Sequence, residues 1–279
     1  MKTFLSIAAL ACMVLLATGC DKLKARDQQN QGVQAFRAAK YPDAVDHFKE
    51  AVRLDPKNAN ARVYLAIAYM TQYIPGAESP ENVQMAKAAN DEFLKVLEAD
   101  PNEKVTLASL ASLTYSEAGG MQKLEDKFKK LDESKEWDLK LIAADPKNTD
   151  AYYSLAAIDW LKWYPAWQSA RNGLNMKGDD PGPLKDKKLR AELSEKYMPL
   201  IEDGIKNLQK CLEIDPKYDN AMTYMNLLLR ERADLHDTFA EYKKDVDAAD
   251  KWVEDSLRTK KEKAAKPIGP AGISNDTAN

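Results

Sequence analysis

The chain has 279 residues, 44% of them hydrophobic and 30% charged, with a formal net charge of −3. This composition excludes a disordered or collagen-like chain and is enough for one or two domains with a sizeable core. Both charge signs are mixed along the sequence, so no basic face is on offer to nucleic acid.

The first twenty residues, MKTFLSIAALACMVLLATGC, differ from the rest. Lys2 precedes an uncharged apolar run from Thr3 to Ala17, which is short for a membrane span and reads as a signal peptide over residues 1–19. The small residues before Cys20 resemble the lipobox of bacterial lipoproteins, with Ala17 in place of the more typical Leu. The resemblance implies cleavage before Cys20, a diacylglycerol on its sulfur and a lipidated linker over residues 20–25. It also implies a chain anchored to a membrane of the bacterial cell envelope and facing the periplasm. Removing residues 1–19 takes away one lysine, so 40 basic against 44 acidic residues give −4. Cys20 and Cys211 are then the remaining cysteines, and packing, not a disulfide framework, has to hold the fold.

From residue 26 the sequence beats. RLDPKNANA, LEADPNEKV, IAADPKNTDA and LEIDPKYDNA place prolines at 56, 101, 146 and 216, the first three 45 residues apart and the fourth after 70. In residues 41–56, Ala44, Phe48 and Ala51 share one helical face. Asp55 then precedes Pro56, where the α conformation is disfavoured and the helix stops. Val63, Leu65, Ala66 and Tyr69 open the next helix. Fixed periods of this size mark stacked helix pairs.

These residues resemble the tetratricopeptide repeat (TPR). Unit one supplies Gly32, Ala35, Ala44, Phe48, Ala51 and Pro56 at the family's signature positions. Units two and three match if eleven residues are inserted between their helices, and Ser134 and Asp138 depart from the pattern in unit three. Unit four carries Leu155, Ala156, Leu208, Cys211 and Pro216, and unit five begins at Met222 and Met225 without a final proline. The expected fold is therefore all-α: an α-solenoid of about five TPR-like helical hairpins over residues 26–261, with lengthened helices and one long insertion at about 168–203. Residues 72–82 read as a loop, Gly119-Gly120 as a break, and 172–186, rich in Gly, Pro and Asp, as a second loop. Helix resumes near Lys187 with a bend expected near Pro199, and the tail 262–279 reads as disordered.

Chemistry is sparse. His47 and His236 belong to opposite ends of the repeat array, no Cys/His cluster has zinc spacing, and no phosphate-binding glycine loop or nucleophile elbow is present. No catalytic residue, metal or cofactor is expected, and Cys211 reads as a packed core thiol. DWLKWYPAW, residues 159–167, is the unusual stretch. Trp160, Trp163 and Trp167 share a face if helix persists through Pro165, either filling space between the helices or forming a recognition surface.

The TPR resemblance implies a concave groove lined by the first helix of each unit. It is carried onto Val33, Phe36, Arg37, Val63, Ile67 and Met70, then onto Ser112, Tyr115, Tyr153, Trp160, Leu227 and Arg230. That lining suits a protein or peptide partner. The function expected is a membrane-anchored interaction scaffold. The alternative is a solute-binding or transporter-associated lipoprotein with a ligand pocket near Trp160, Trp163 and Trp167.

Overall fold

The computed structural model describes residues 2–177 and 180–265, with side chains from Cys20 onward. The described residues form ten helices and no strand: α1 (Lys2–Arg37), α2 (Tyr41–Leu54), α3 (Ala59–Gln72), α4 (Pro80–Ala99), α5 (Lys104–Gly120), α6 (Leu124–Ala144), α7 (Thr149–Gly173), α8 (Lys187–Ile214), α9 (Asp219–Ala233) and α10 (Phe239–Ala265). Each odd-numbered helix packs on the helix that follows it, giving five hairpins. They fall into two compact units, residues 1–146 and 147–279.

The repeated Asp-Pro turn explains itself at atomic level. Asp55, Asp100, Asp145 and Asp215 each stand at a helix C-cap, donating a backbone N–H to the carbonyl of Ala51, Val96, Leu141 and Cys211 respectively. The following proline cannot donate and holds the chain out of the helix. The Asp55, Asp100 and Asp215 side chains then accept from the amide two residues on, at 3.3, 3.0 and 2.8 Å. Three of the turns also supply the next helix's N-cap. Asn58 accepts from Ala61, Asn148 from Ala151, and Glu103 from Val105 and Thr106. One four-residue phrase thus satisfies orphan groups at two helix ends.

In unit 1 the hairpins meet through small residues. Gly32 faces Phe48 so closely that a Cβ there would lie 2.6 Å from the ring. Ala44, Phe48, Leu65 and Ala68 form one apolar cluster, and Ala66, Ala89, Phe93 and Leu110 anchor the next. Ser134, the apparent departure from the repeat pattern, is fully buried and donates to the carbonyl of Ala111 at 2.9 Å. A small polar residue is tolerated there because its hydroxyl is satisfied. Unit 2 has its own core, in which Trp163, Leu208, Cys211, Met225 and Leu228 interlock.

Several boundaries are corrected in detail. The loop after α3 is residues 73–79, because Ser79 caps α4 and Pro80 opens it. Of the insertion at 168–203, residues 174–177 and 180–186 lie outside helix, since α7 continues to Gly173 and α8 begins at Lys187. Pro165 and Pro199 both lie inside continuous helices. The stretch 20–25, read as a linker, is helical, and Ala25 is buried. Helix α10 reaches Ala265, four residues past the expected end of the repeats. The side chains of the signal-peptide stretch and residues 266–279 of the tail lie outside the described residues.

Candidate functional site

Three surfaces stand out: the first-helix face, the tryptophan stretch, and a cleft that the sequence did not announce. On the first helices of unit 1, Val33 and Phe36 are half-buried, Phe36 meets Tyr41 edge-on at 5.2 Å, and Arg37 is exposed. Val63, Ile67 and Met70 are half-buried on α3; on α5 Ser112 is exposed and Tyr115 half-buried. In unit 2, Tyr153 lies 5.4 Å from the Tyr218 ring and 5.3 Å from that of Tyr224. Leu227 is half-buried, and Arg230 is exposed and bonded to Asn226 and Asp250.

The tryptophan stretch turns inward. Trp163 is fully buried with its ring 5.1 Å from that of Tyr197 on α8. Trp160 donates its indole N–H to Glu231 at 2.8 Å, and Trp167 donates to Asp234 at 2.8 Å. Residues 160 and 167 are seven apart, two turns of helix, so both reach the same neighbour, α9. Asp234 also accepts from Arg171 at 2.6 Å, with both side chains buried. Arg171 continues to the carbonyls of Lys177 and Asp180, and the backbone of Leu184 donates to that of Asp234. The insertion loop is therefore tied down onto α7 and α9.

This packing moves proton equilibria. Burial pushes the Glu231 carboxyl up to about 8, against the opposing pull of the Trp160 N–H. The Trp163 N–H faces the same carboxyl but makes no aligned hydrogen bond, and Glu231 Oε2 has no partner. Burial also raises Asp234, outweighing Trp167 and Arg171. Cys211 sits fully buried in the core, and desolvation pushes its thiol up to about 12, the opposite of a reactive cysteine. His47 pairs with Gln28 at 2.8 Å and His236 with Asp245 at 2.7 Å, each within its own unit. Among the described residues no group of three or more His, Cys, Asp or Glu could hold a metal ion, and no helix is long and apolar enough to cross a membrane.

The third surface is a cleft of about 690 Å³ on unit 1, framed by α4, α5 and α6 and the loop 73–79. None of the groove residues named from the repeat pattern lines it. The repeat pattern does not point to it, because its walls combine extension residues such as Tyr73, Glu78 and Gly120 with exposed residues of α4 and α6 such as Val83, Leu94 and Glu136. The buried trio Arg171, Glu231 and Asp234 was missed for a related reason. An acidic residue on an amphipathic helix normally marks the solvent face, and only the facing tryptophans turn these two inward.

No family model matches the sequence, and no curated protein matches it. Solved structures do. MamA 41-end from Desulfovibrio magneticus RS-1 is similar at 15% identity over 86% of this chain and 96% of that one, with a TM-score of 0.51. A MamA RS-1 ArsTM double mutant gives 16% identity over 87% and 98%, also at 0.51. A thermophilic TPR protein of Thermus thermophilus, TTC0263, aligns over 74% of this chain and 99% of that one at 18% identity and a TM-score of 0.41. At such identities the likeness to the two MamA structures is one of fold. The chain is an all-α protein of TPR-like helical hairpins.

Proposed function

We propose that the protein is a protein-protein interaction scaffold, not an enzyme, held to a membrane of the bacterial cell envelope through acylated Cys20 and facing the periplasm. The observation that carries this reading is the hairpin array itself. Its first helices α1, α3 and α5 present half-buried apolar side chains, Val63, Ile67 and Met70 among them, in the manner of a surface that docks a helix or an extended peptide. Cys20 is exposed at the start of the described side chains, as an acylated residue has to be. The proposed contacts are, in unit 1, Val33, Phe36, Arg37, Val63, Ile67, Met70, Ser112 and Tyr115 and, in unit 2, Tyr153, Leu227 and Arg230. What weighs for the scaffold over a solute-binding protein is the inward commitment of Trp160 and Trp167, whose N–H groups are already occupied by Glu231 and Asp234.

The test is crosslinking in cells with a photoreactive residue at Tyr115, read by mass spectrometry, alongside a Cys20→Ala variant. The expected result is a recurrent protein adduct, and loss of the chain from the membrane fraction in Cys20→Ala. No adduct at Tyr115 or at Met70, with the chain correctly folded, would sink the scaffold reading. Membrane retention of Cys20→Ala would sink the anchor.

A further inference from the structure

The extra eleven residues of hairpins two and three are not needed to stack small residues between helices, yet they recur. In the structure they contribute Tyr73, Gly76, Glu78, Gly120 and Lys130 to the cleft of unit 1, whose other walls are α4, α5 and α6. Its apolar part includes Val83 and Leu94 on α4, which are 57% and 37% exposed, and the aromatic rings of Tyr73 and Trp137. Isolated exposed apolar residues are ordinary; two on one helix, in a concave site with two aromatic rings, are what a binding pocket offers.

The charge around this apolar strip is one-sided. Glu78, Glu117, Glu133 and Glu136 line the cleft against Lys87 and Lys130. Both lysines are engaged: Lys130 with Glu133 at 2.7 Å and Glu117 at 3.4 Å, Lys87 with Asp91 at 2.6 Å. Burial works against the charge on Lys130, but Glu133 and Glu117 outweigh it and raise its pKa. Glu78 and Glu136 have no ion-pair partner among the described residues, so the surplus is negative. Trp137 already attracts a cation, the Lys140 ammonium 4.0 Å from its ring centre. The Tyr73 phenol, raised by burial and then by Glu117, stays protonated and able to donate. Past Gly120 and Met121 the cleft runs on into a shallower recess of about 500 Å³ that shares Glu78, Lys130 and Glu133 and adds Lys123, Asp126 and Lys129; acid and base balance there, so the negative surplus lies in the main cleft, at Glu78 and Glu136. Cleft and recess are contiguous through the residues they share, and together they offer more room than the roughly 300–1,000 Å³ of an ordinary small-ligand pocket, which suits a chain segment better than a compact solute.

We propose that this cleft, separate from the first-helix groove, binds an extended protein segment in which apolar side chains are flanked by lysine or arginine. The proposal rests on the partner-binding reading but places a second contact on α4 and α6. It gives the recurrent extension a part in recognition: Tyr73, Glu78 and Lys130 from the extensions complete a site whose remaining walls are α4, α5 and α6.

The test uses the purified full chain and a fluorescein-labelled decapeptide alternating Lys with Leu and Phe, read by anisotropy. Comparison probes are the same peptide with Glu for Lys, a Lys-only decapeptide and phenethylamine. The basic apolar peptide is expected to bind best and to weaken as salt rises. Glu78→Lys with Glu136→Lys, both exposed and so harmless to the fold, is expected to weaken it by about tenfold. Val83→Ser is expected to weaken it several-fold with an unchanged melting curve. Equal binding of the Glu peptide, equal binding of the Lys-only peptide, indifference to the double charge reversal, or phenethylamine competing at the peptide's own concentration would each overturn the proposal. The two readings fail separately. Peptide binding without a Tyr115 adduct in cells removes the groove, and a Tyr115 adduct with a peptide that ignores the charge reversal removes the cleft.

Discussion

Glu231 should make the stability of unit 2 fall as pH rises through neutrality. Its carboxyl is almost wholly buried, and burial takes its pKa from 4.5 to about 8. The folded protein therefore holds a proton that the unfolded chain releases. A group raised in this way leaves stability intact below its unfolded value, erodes it between the two values, and costs a constant amount above the folded value. The window is pH 4.5 to about 8. At about 1.4 kcal/mol per pH unit, ionising Glu231 costs about 3 kcal/mol by pH 7 and about 5 kcal/mol above pH 8, in order of magnitude. Asp234, also raised by burial, adds a slope of the same sign. Asp245 is held below the ordinary carboxylate value despite the opposing desolvation, by Arg232 and His236, and so acts only at acid pH. Glu231→Gln isolates the effect. The amide oxygen still accepts from Trp160, and the variant, like the acid form, carries no charge at any pH of the scan. Urea unfolding followed by tryptophan fluorescence reports chiefly on unit 2, which holds Trp160, Trp163, Trp167 and Trp252 against Trp137 in unit 1. With a urea slope of roughly 2 kcal/mol/M, the wild-type midpoint should drop by about 1–2 M between pH 5 and 8 relative to Glu231→Gln. Parallel pH profiles for the two proteins would refute the reasoning.

The other predictions concern packing. Gly32→Ala should destabilise unit 1 by about 1–3 kcal/mol by overpacking, although alanine is the better helix former by about 1 kcal/mol, because its Cβ would sit 2.6 Å from the Phe48 ring; a helical melt reads the loss, and Phe48→Leu in the same chain should recover part of it. Arg171→Ala strands Asp234 as a buried, unpaired charge and should cost about 3–5 kcal/mol, with faster proteolysis of the loop 174–186. Adding Asp234→Asn should restore stability without restoring the loop, because the Arg171 bonds to Lys177 and Asp180 stay broken.

The hairpin architecture was legible because its cues are local. Asp55-Pro56 stops a helix, Asn58 starts another, and Ala44, Phe48 and Ala51 face one way, each within a few residues of chain. The eleven-residue extensions were legible as a length and not as a structure. Residues 72–82 gave up their last three positions to α4 once Ser79 acted as its cap, and residues 118–130 broke after Gly120 as the paired glycines indicated. The tryptophan stretch was recognised as unusual, but its direction was not. Helical spacing put Trp160 and Trp167 on one face, and nothing in their own stretch of chain said that Glu231 and Asp234, some 70 positions later, would meet them.

Sequence by itself determined that helices come in pairs, that they stop at the Asp-Pro turns, and that small residues such as Gly32 and Ala44 lie between them, since proline geometry and 3.6-residue periodicity act over single turns. Tertiary structure alone decided which carboxylates are buried, which tryptophans are committed inward, and that the lengthened helices of hairpins two and three enclose a cleft. Those outcomes depend on side chains from different helices meeting in space, and desolvation and ion pairing are set by that meeting, not by neighbours along the chain.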